Sequence, residues 1–397
     1  MKNNPMRWIA AFFLLVYLAM QLLCILPNDN RRQIVFFMWF ICSYSAYTPV
    51  VSKTLRMKET VPLYIFCLFY GVTMMYRHDV VYSVSAVLSM FELFSPFLMY
   101  RILRIETSFM RRIVFLAITA IVIANVTVCY IYMNFSITHY GLRDIEEFME
   151  YKNTFFLVYS VAILVPFIIY YLSHQEKTKK KWFKNFKTLI ALGACLILIL
   201  FILQAQFMTA IVLMLTGGVL AFVYKRRGAL VAVPIAAALV LGLFSAFSDD
   251  LIRIADNNDA TAVSSRIEEL QHILSNNAEN ADDYSIRQDK SQSSLQTFIE
   301  NPIIGVFYKY KDMNEAKHYG IGNHAEWLDT LAKYGLFGIL LFVFIYKAIK
   351  KQRLAVGTNI HYILFGVLGF LNPVLGFYLV CSVFLYMPLL NKVYFDN

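Results

Sequence analysis

Long uncharged apolar segments recur along this chain, and most of the gaps between them are short. An α-helix needs about 20 apolar residues to cross a bilayer, and these segments approach that length. With 59% hydrophobic and 16% charged residues, the chain is too apolar for a soluble protein of 397 residues. We therefore predict an all-α polytopic integral membrane protein. About twelve spans are predicted, with ten or eleven as alternatives: 8-26, 34-52, 61-76, 80-100, 113-135, 154-172, 188-207, 210-224, 229-247, 329-346, 358-371 and 374-390.

Positive charge alternates along the predicted topology. One set of alternate gaps holds 22 Lys and Arg residues, whereas the opposite short gaps hold five. Lys and Arg concentrate on the cytoplasmic side of membrane proteins, so both termini are predicted to be cytoplasmic. The net charge of +10 then reflects topology rather than nucleic-acid binding. The predicted regions are nine spans in 1-247, a large extracytoplasmic loop at 248-328 and three spans in 329-397.

The large loop is acidic, with 14 Asp or Glu against 7 Lys or Arg over residues 248–327. Loops of such length without a function are uncommon. Apolar spacing predicts amphipathic helices over 262–274 and 285–300, the second with Leu295, Phe298 and Ile299 on one face. Asn301-Pro302 should end that second helix.

A histidine closes this loop where it meets the next predicted span. On a helix, His324 would share one face with Trp327, Leu328 and Leu331, and Gly335 and Gly338 would extend this stripe. Two interpretations stay open: a structural histidine at the membrane interface, or a base or hydrogen-bond donor at a cavity mouth. Histidine exchanges protons near neutral pH, which suits the second.

Arginines of the loop are candidate anion ligands. Arg266 and Arg287 stand near the starts of the predicted helices, and arginine forms paired hydrogen bonds with phosphate oxygens. The alternative is pairing with nearby carboxylates. A smaller outer loop at 136–153 contains Arg143 and Asn153 and could pack beside the large loop.

Several site classes have no support in the sequence. Walker A, G-x-S-x-G and H-E-x-x-H patterns do not occur. The six cysteines form no C-x-x-C pair. We predict neither a nucleotide cofactor nor a metal.

The end of the loop nevertheless carries a recognisable order of motifs. His324-Ala325-Glu326-Trp327-Leu328 through Gly335-Leu336-Phe337-Gly338 is similar to an H-N/S-D-W/F-L…G-L-x-G pattern, and the segment 301–306 resembles N-P-L-x-G-V/I. Both belong to the bacterial O-antigen polymerase and O-antigen ligase family, which the chain resembles in topology as well. Arg287, or as a rival Arg266, resembles the arginine that leads the family's loop helix, and Asn153 the asparagine that enters a middle span.

Two positions depart from the family pattern. Residue 325 is Ala where Asn or Ser is usual, and the turn 205–210 lacks an arginine that members often carry. The missing arginine weakens the ligase interpretation more than the polymerase interpretation.

The resemblance implies a multispanning glycosyltransferase that uses lipid-linked sugars. It would polymerise polyprenyl-diphosphate-linked repeat units at the outer face of the bacterial cytoplasmic (inner) membrane, with a flippase and a chain-length regulator as possible partners. His324, Arg287 and Arg266 would be catalytic. Glu326, Trp327, Arg143 and Asn153 would bind substrate. The alternatives are an O-antigen ligase acting on lipid A core and, less favoured because charge inside the spans is sparse, a lipid-linked sugar flippase.

Overall fold

The structure is a computed structural model that describes residues 5–23, 31–135, 154–174, 186–205, 207–223, 253, 268, 282–310, 313–352 and 359–394. Within these ranges the secondary structure is entirely helical. The α-helices are α1 Met6–Leu22, α2 Arg31–Leu55, α3 Val61–Arg77, α4 Val80–Ile105, α5 Ser108–Phe135, α6 Thr154–His174, α7 Phe186–Ala205, α8 Met208–Val223, α9 Asp282–Glu300, α10 Met313–Ala316, α11 Glu326–Tyr334, α12 Leu336–Gln352, α13 Ile360–Leu368, α14 Phe377–Cys381 and α15 Met387–Tyr394. A π-helical segment, Ser382–Tyr386, joins the last two, and 3₁₀ turns lie at Phe307–Lys309 and Lys317–Tyr319.

The apolar helices agree with an integral membrane protein. Five described helices, within α2, α4, α5, α6 and α7, are long and apolar enough to cross a membrane by length and composition. Shorter apolar helices are found at Met6–Leu22, Val61–Arg77, Thr209–Ala221 and Phe377–Val393. Each of the first eight predicted spans coincides with a helix, from α1 to α8. The ninth, 229-247, lies outside the described residues.

The predicted span 329-346 is wrong at its start, because the chain forms two helices there. Helix α11 ends at Tyr334 and α12 begins at Leu336. Gly335 between them has φ +57°, a left-handed value that a helix interior does not allow. The predicted stripe from His324 to Gly338 is therefore not one helical face, since His324 also precedes the first residue of α11.

The helices divide into two compact units. The first contains Met1–Val122, Arg287–Arg353 and Leu368–Asn397; the second contains Ile123–Ile286 and Leu354–Val367. In the second unit, α6 packs against α7 and α8. Helix α6 is apolar all round and most of its side chains are buried, as is typical of a central helix.

The first unit has two chemically different ends. Helices α3 and α12 pack together and run antiparallel, because Phe337 at the start of α12 stacks on Phe69 in the middle of α3, while Lys351 near the end of α12 pairs with Glu59, just before α3. Near Glu59 the chain is rich in Lys and Arg, and Arg7 pairs with Glu106 at 3.0 Å there. We call this the basic end. The opposite end holds the segment from α9 to the start of α12, and we call it the loop end.

Candidate functional site

The Asn-Pro turn after α9 is clamped to the junction of α11 and α12. The Val306 N–H donates to the Ala332 carbonyl at 3.0 Å, and the Leu336 N–H donates to the Pro302 carbonyl at 2.8 Å. A Cβ atom on Gly305 would lie 2.2 Å from the Lys333 carbonyl oxygen, and Gly305 has φ +65°. This close backbone contact explains why glycine follows the Asn-Pro pair and why the two motifs occur together.

Helix α9 confirms the predicted helix over 285–300, but of its predicted apolar face Leu295 and Ile299 point outward and Phe298 is half-buried. Leu295 and Ile299 are exposed, whereas Ser294 and Thr297 are buried. The buried hydroxyls bind the loop that follows. The Gly322 N–H donates to Ser294 Oγ at 2.9 Å, and Thr297 Oγ1 donates to the Gly320 carbonyl at 2.9 Å. A polar seam therefore fixes the loop before His324 onto α9.

Asp329 organises the backbone around His324. Its carboxylate accepts hydrogen bonds from the N–H groups of Asn323 and Ala325, both at 3.2 Å, and from Ser294 Oγ at 2.6 Å. The side chain is only 3% exposed. Because the residues on both sides of His324 bond to one buried carboxylate, the position of His324 is fixed relative to α9 and α11.

Helix α11 begins without a side-chain cap at Ala325. Ala325 occupies the N-cap position of α11, and its side chain makes no capping hydrogen bond. The Trp327 N–H, which a polar N-cap side chain could bind, donates to the Gly369 carbonyl. Asp329 accepts the Ala325 N–H from inside the helix, much as the Glu of a capping box does. Asn323, next to His324, has φ +57°, a strained conformation that often marks functional sites.

Lys290 lies directly against His324. The distance from Lys290 Nζ to His324 Nε2 is 2.7 Å, and the contact is partly buried. A lysine ammonium can only donate, so its contact with Nε2 requires the His324 tautomer that accepts at Nε2 and carries the ring proton on Nδ1. Arg287 lies one helical turn before Lys290 on α9, and residues three apart lie on neighbouring positions of the helix surface.

A cationic and aromatic cluster supports this site within the loop end. Arg77 Nη1 donates to the Phe307 carbonyl at 2.8 Å, and its guanidinium stacks over the rings of Phe307 and Tyr310. Burial raises the pKa of the Tyr310 hydroxyl above its ordinary range, although Arg77 opposes this. Burial likewise raises the pKa of Tyr334 well above its ordinary value. Both hydroxyls are therefore neutral at physiological pH.

Glu326 and Trp327 bind a neighbouring segment of the protein. Glu326 Oε2 accepts the N–H groups of Val374 and Leu375 at 3.0 and 3.2 Å. The Trp327 N–H donates to the Gly369 carbonyl at 3.1 Å, and the indole packs edge-on against Phe342. Both residues thus anchor the turn between α13 and α14, while their predicted contact with substrate stays a prediction.

For the remaining predicted site residues, the structure describes only the backbone position of Arg287. Arg287 is placed by its backbone in α9. Arg266, Arg143 and Asn153 lie outside the described residues. In the described part of the chain, no three His, Cys, Asp or Glu side chains come together as metal ligands would.

Residues 148–343 match the model of the protein family described as O-antigen ligase. The chain belongs to this O-antigen ligase and polymerase family. The matched residues include α9, the Asn-Pro turn, His324 and α11. No curated protein matches the chain significantly. Members of the family are glycosyl-transferring membrane enzymes of O-antigen assembly, and their substrates are lipid-linked oligosaccharides.

Two residues of the site were not predicted from the sequence, namely Lys290 and Asp329. Lys290 could have been found as the cation three residues after Arg287. Asp329 could have been found as the acidic residue in the first turns of a helix that lacks a capping side chain. Both signals are weak without the loop geometry that brings them to His324.

Proposed function

We propose that this protein polymerises polyprenyl-diphosphate-linked oligosaccharide repeat units, with His324 and Lys290 at the centre of the active site. The contact of 2.7 Å between Lys290 Nζ and His324 Nε2 carries the proposal. A proton acceptor and a cation are the two groups that glycosyl transfer from a diphosphate needs. Asp329 positions the helix of Lys290 relative to His324, because its carboxylate bonds to Ser294 on α9 and to the backbone on both sides of His324.

In the proposed reaction, a sugar hydroxyl of the acceptor attacks the anomeric carbon of the donor. The new bond joins this hydroxyl oxygen to the anomeric carbon, and the bond from that carbon to the diphosphate oxygen breaks. The electron pair leaves with the diphosphate, and the hydroxyl proton passes to His324 Nε2. Lys290 and Arg287 neutralise the charge of the leaving diphosphate.

Lys290 couples substrate binding to the base. Without substrate, its ammonium occupies the Nε2 lone pair of His324. A bound diphosphate attracts the same ammonium more strongly, because it carries full negative charge. Lys290 then moves from His324 to the phosphate, and Nε2 becomes able to accept the proton.

The loop end is proposed to face away from the cytoplasm. The basic end of the first unit carries the Lys and Arg excess that marks cytoplasmic ends of membrane helices. The site lies at the other end of α3 and α12, where the headgroup of a lipid-linked donor in the outer leaflet would be presented. This topology supports the proposed loop at 248–328 and the placement of both termini in the cytoplasm.

The test is chain growth by the purified protein on polyprenyl-diphosphate-linked repeat units. We expect His324→Ala to lower the rate ~10²- to 10⁴-fold, as loss of a general base does. Lys290→Ala and Arg287→Ala should also slow chain growth, and Lys290→Arg should lose less than Lys290→Ala because the charge is kept. Lys317→Ala, an exposed lysine on the same segment, is the matched control. Near wild-type chain growth in both His324→Ala and Lys290→Ala would show that the site is wrongly assigned.

The second candidate is an O-antigen ligase, which the description of the matched family favours. Gene deletion separates the two activities. Loss of a polymerase leaves single repeat units on the final acceptor, whereas loss of a ligase leaves long polymer on the carrier lipid.

A further inference from the structure

Among its described side chains, the outward face of α9 carries exposed apolar ones only toward its C-terminal end, where they lie beside the exposed pair Gln296 and Glu300. Leu295 and Ile299 are exposed on it, and so are Gln288 and Gln292 one to two turns earlier. The opposite, protein-facing side carries Lys290, Ser294 and Thr297. A helix that packs on a protein core usually buries such leucine and isoleucine side chains.

The apolar surface continues from α9 onto α12. Ile303 and Ile304 follow in the Asn-Pro turn and are exposed. The Leu336 N–H donates to the carbonyls of Pro302 and Ile303 at 2.8 and 3.2 Å, so this turn sits directly on the first residue of α12. Leu336 and Ile339 are exposed in turn. One apolar strip therefore runs from Leu295 along the turn to Ile339.

From this geometry we infer that the C-terminal half of α9 and the turn 302–304 are immersed in the interfacial layer of the membrane. The occupant of the strip is bilayer phospholipid, because the strip is continuous with the exposed side of α12, a predicted membrane span. Exposed apolar patches of this kind mark membrane or partner contacts.

This arrangement would fix the height of the site above the bilayer. Lys290 lies nine residues before Ile299 on the same helix, which is about 14 Å along its axis at about 1.5 Å per residue. The membrane contact is independent of the chemistry proposed above, because it requires only that the chain is a membrane protein.

The experiment is spin-label accessibility on the full chain in phosphatidylethanolamine and phosphatidylglycerol vesicles. A parent variant has its six cysteines replaced, and single cysteines are introduced as Ile299→Cys, Ile303→Cys and the matched control Gln292→Cys. Position 292 lies on the same face of α9, about 10 Å from position 299 along the axis. Each nitroxide is tested against oxygen, which concentrates in lipid, and against a water-soluble nickel complex.

We expect oxygen to relax the labels at 299 and 303 more strongly than the nickel complex does, with the reverse order at 292. Equal nickel access at all three positions would overturn the inference, because the strip would then face water. Protection from both reagents at 299 and 303 would also overturn it, in favour of contact with protein such as a second copy of the chain. The two apolar positions report separately, so a folding defect in one variant leaves the other as a test.

Discussion

Asp329→Asn should uncouple His324 from its scaffold while changing almost no volume. The carboxylate accepts three hydrogen bonds, from Ser294 Oγ and from the N–H groups of Asn323 and Ala325. An asparagine at 329 keeps one acceptor oxygen and places an NH₂ group where the second oxygen was. If the amide oxygen keeps Ser294 and Asn323, the new NH₂ group faces the Ala325 N–H as a second donor.

The expected cost follows from those bonds. A hydrogen bond to a charged group contributes ~1.5–3 kcal/mol, and a buried unsatisfied donor costs ~1–3 kcal/mol. A factor of ten in rate corresponds to about 1.4 kcal/mol. If the lost hydrogen-bond energy is expressed as displacement of His324, the activity should fall at least about tenfold. The lowered rate should appear in kcat more than in KM, because the base rather than the substrate contacts is displaced.

The assay is chain growth by the purified variant, together with its melting temperature. Asp289→Asn is the matched control, since Asp289 is an exposed carboxylate on α9 and should behave like the wild type. Wild-type kcat in Asp329→Asn would refute the idea that this carboxylate positions His324. A lowered melting temperature with unchanged kcat would show that its role is confined to stability.

Three further outcomes are expected. Glu326→Gln should lower the melting temperature more than it raises KM, because Glu326 bonds to the backbone of Val374 and Leu375; a raised KM with unchanged stability would instead support direct substrate binding. Arg77→Met should destabilise the protein by ~2 kcal/mol in chemical denaturation, since it removes a charged hydrogen bond and cation–π contacts, and an unchanged midpoint would contradict this. Burial raises the pKa of Tyr310, so the folded protein holds the hydroxyl proton more tightly than the unfolded chain does. The stability gained from this is complete below the ordinary tyrosine pKa of 10.0 and is lost as the pH rises further. The melting temperature should therefore fall between about pH 8 and pH 11, and it should fall less in Tyr310→Phe.

The helices were largely predictable because each bilayer-length apolar segment has few alternatives to a helix. The break at Gly335 was harder to predict, since the apolar spacing runs smoothly from Leu328 into Leu336. What decides it is a long-range contact: the backbone of the Asn-Pro turn lies so close that only glycine fits at 335. Local periodicity contains no information about such a neighbour.

The orientation of α9 shows a similar limit. The sequence places Leu295 and Ile299 together, but it does not say whether that face meets protein or lipid. The answer depends on the hydroxyl groups of Ser294 and Thr297, which find backbone partners in the loop at 320–322. The contact of Lys290 with His324 depends on the same orientation, because Lys290 and the buried Ser294 lie on the same side of α9.

The N-cap of α11 has a consequence for how such sites are recognised in sequences. Position 325 is Ala where the family usually has Asn or Ser, and a polar side chain at this N-cap position would accept the N–H of residue 327 or 328. Here the Trp327 N–H donates to the Gly369 carbonyl instead. A search that insists on the polar residue after the histidine would reject this chain, although its loop is held in place. The useful signature is a physical requirement, one acceptor for the Trp327 amide, which an N-cap side chain or the Gly369 carbonyl can meet.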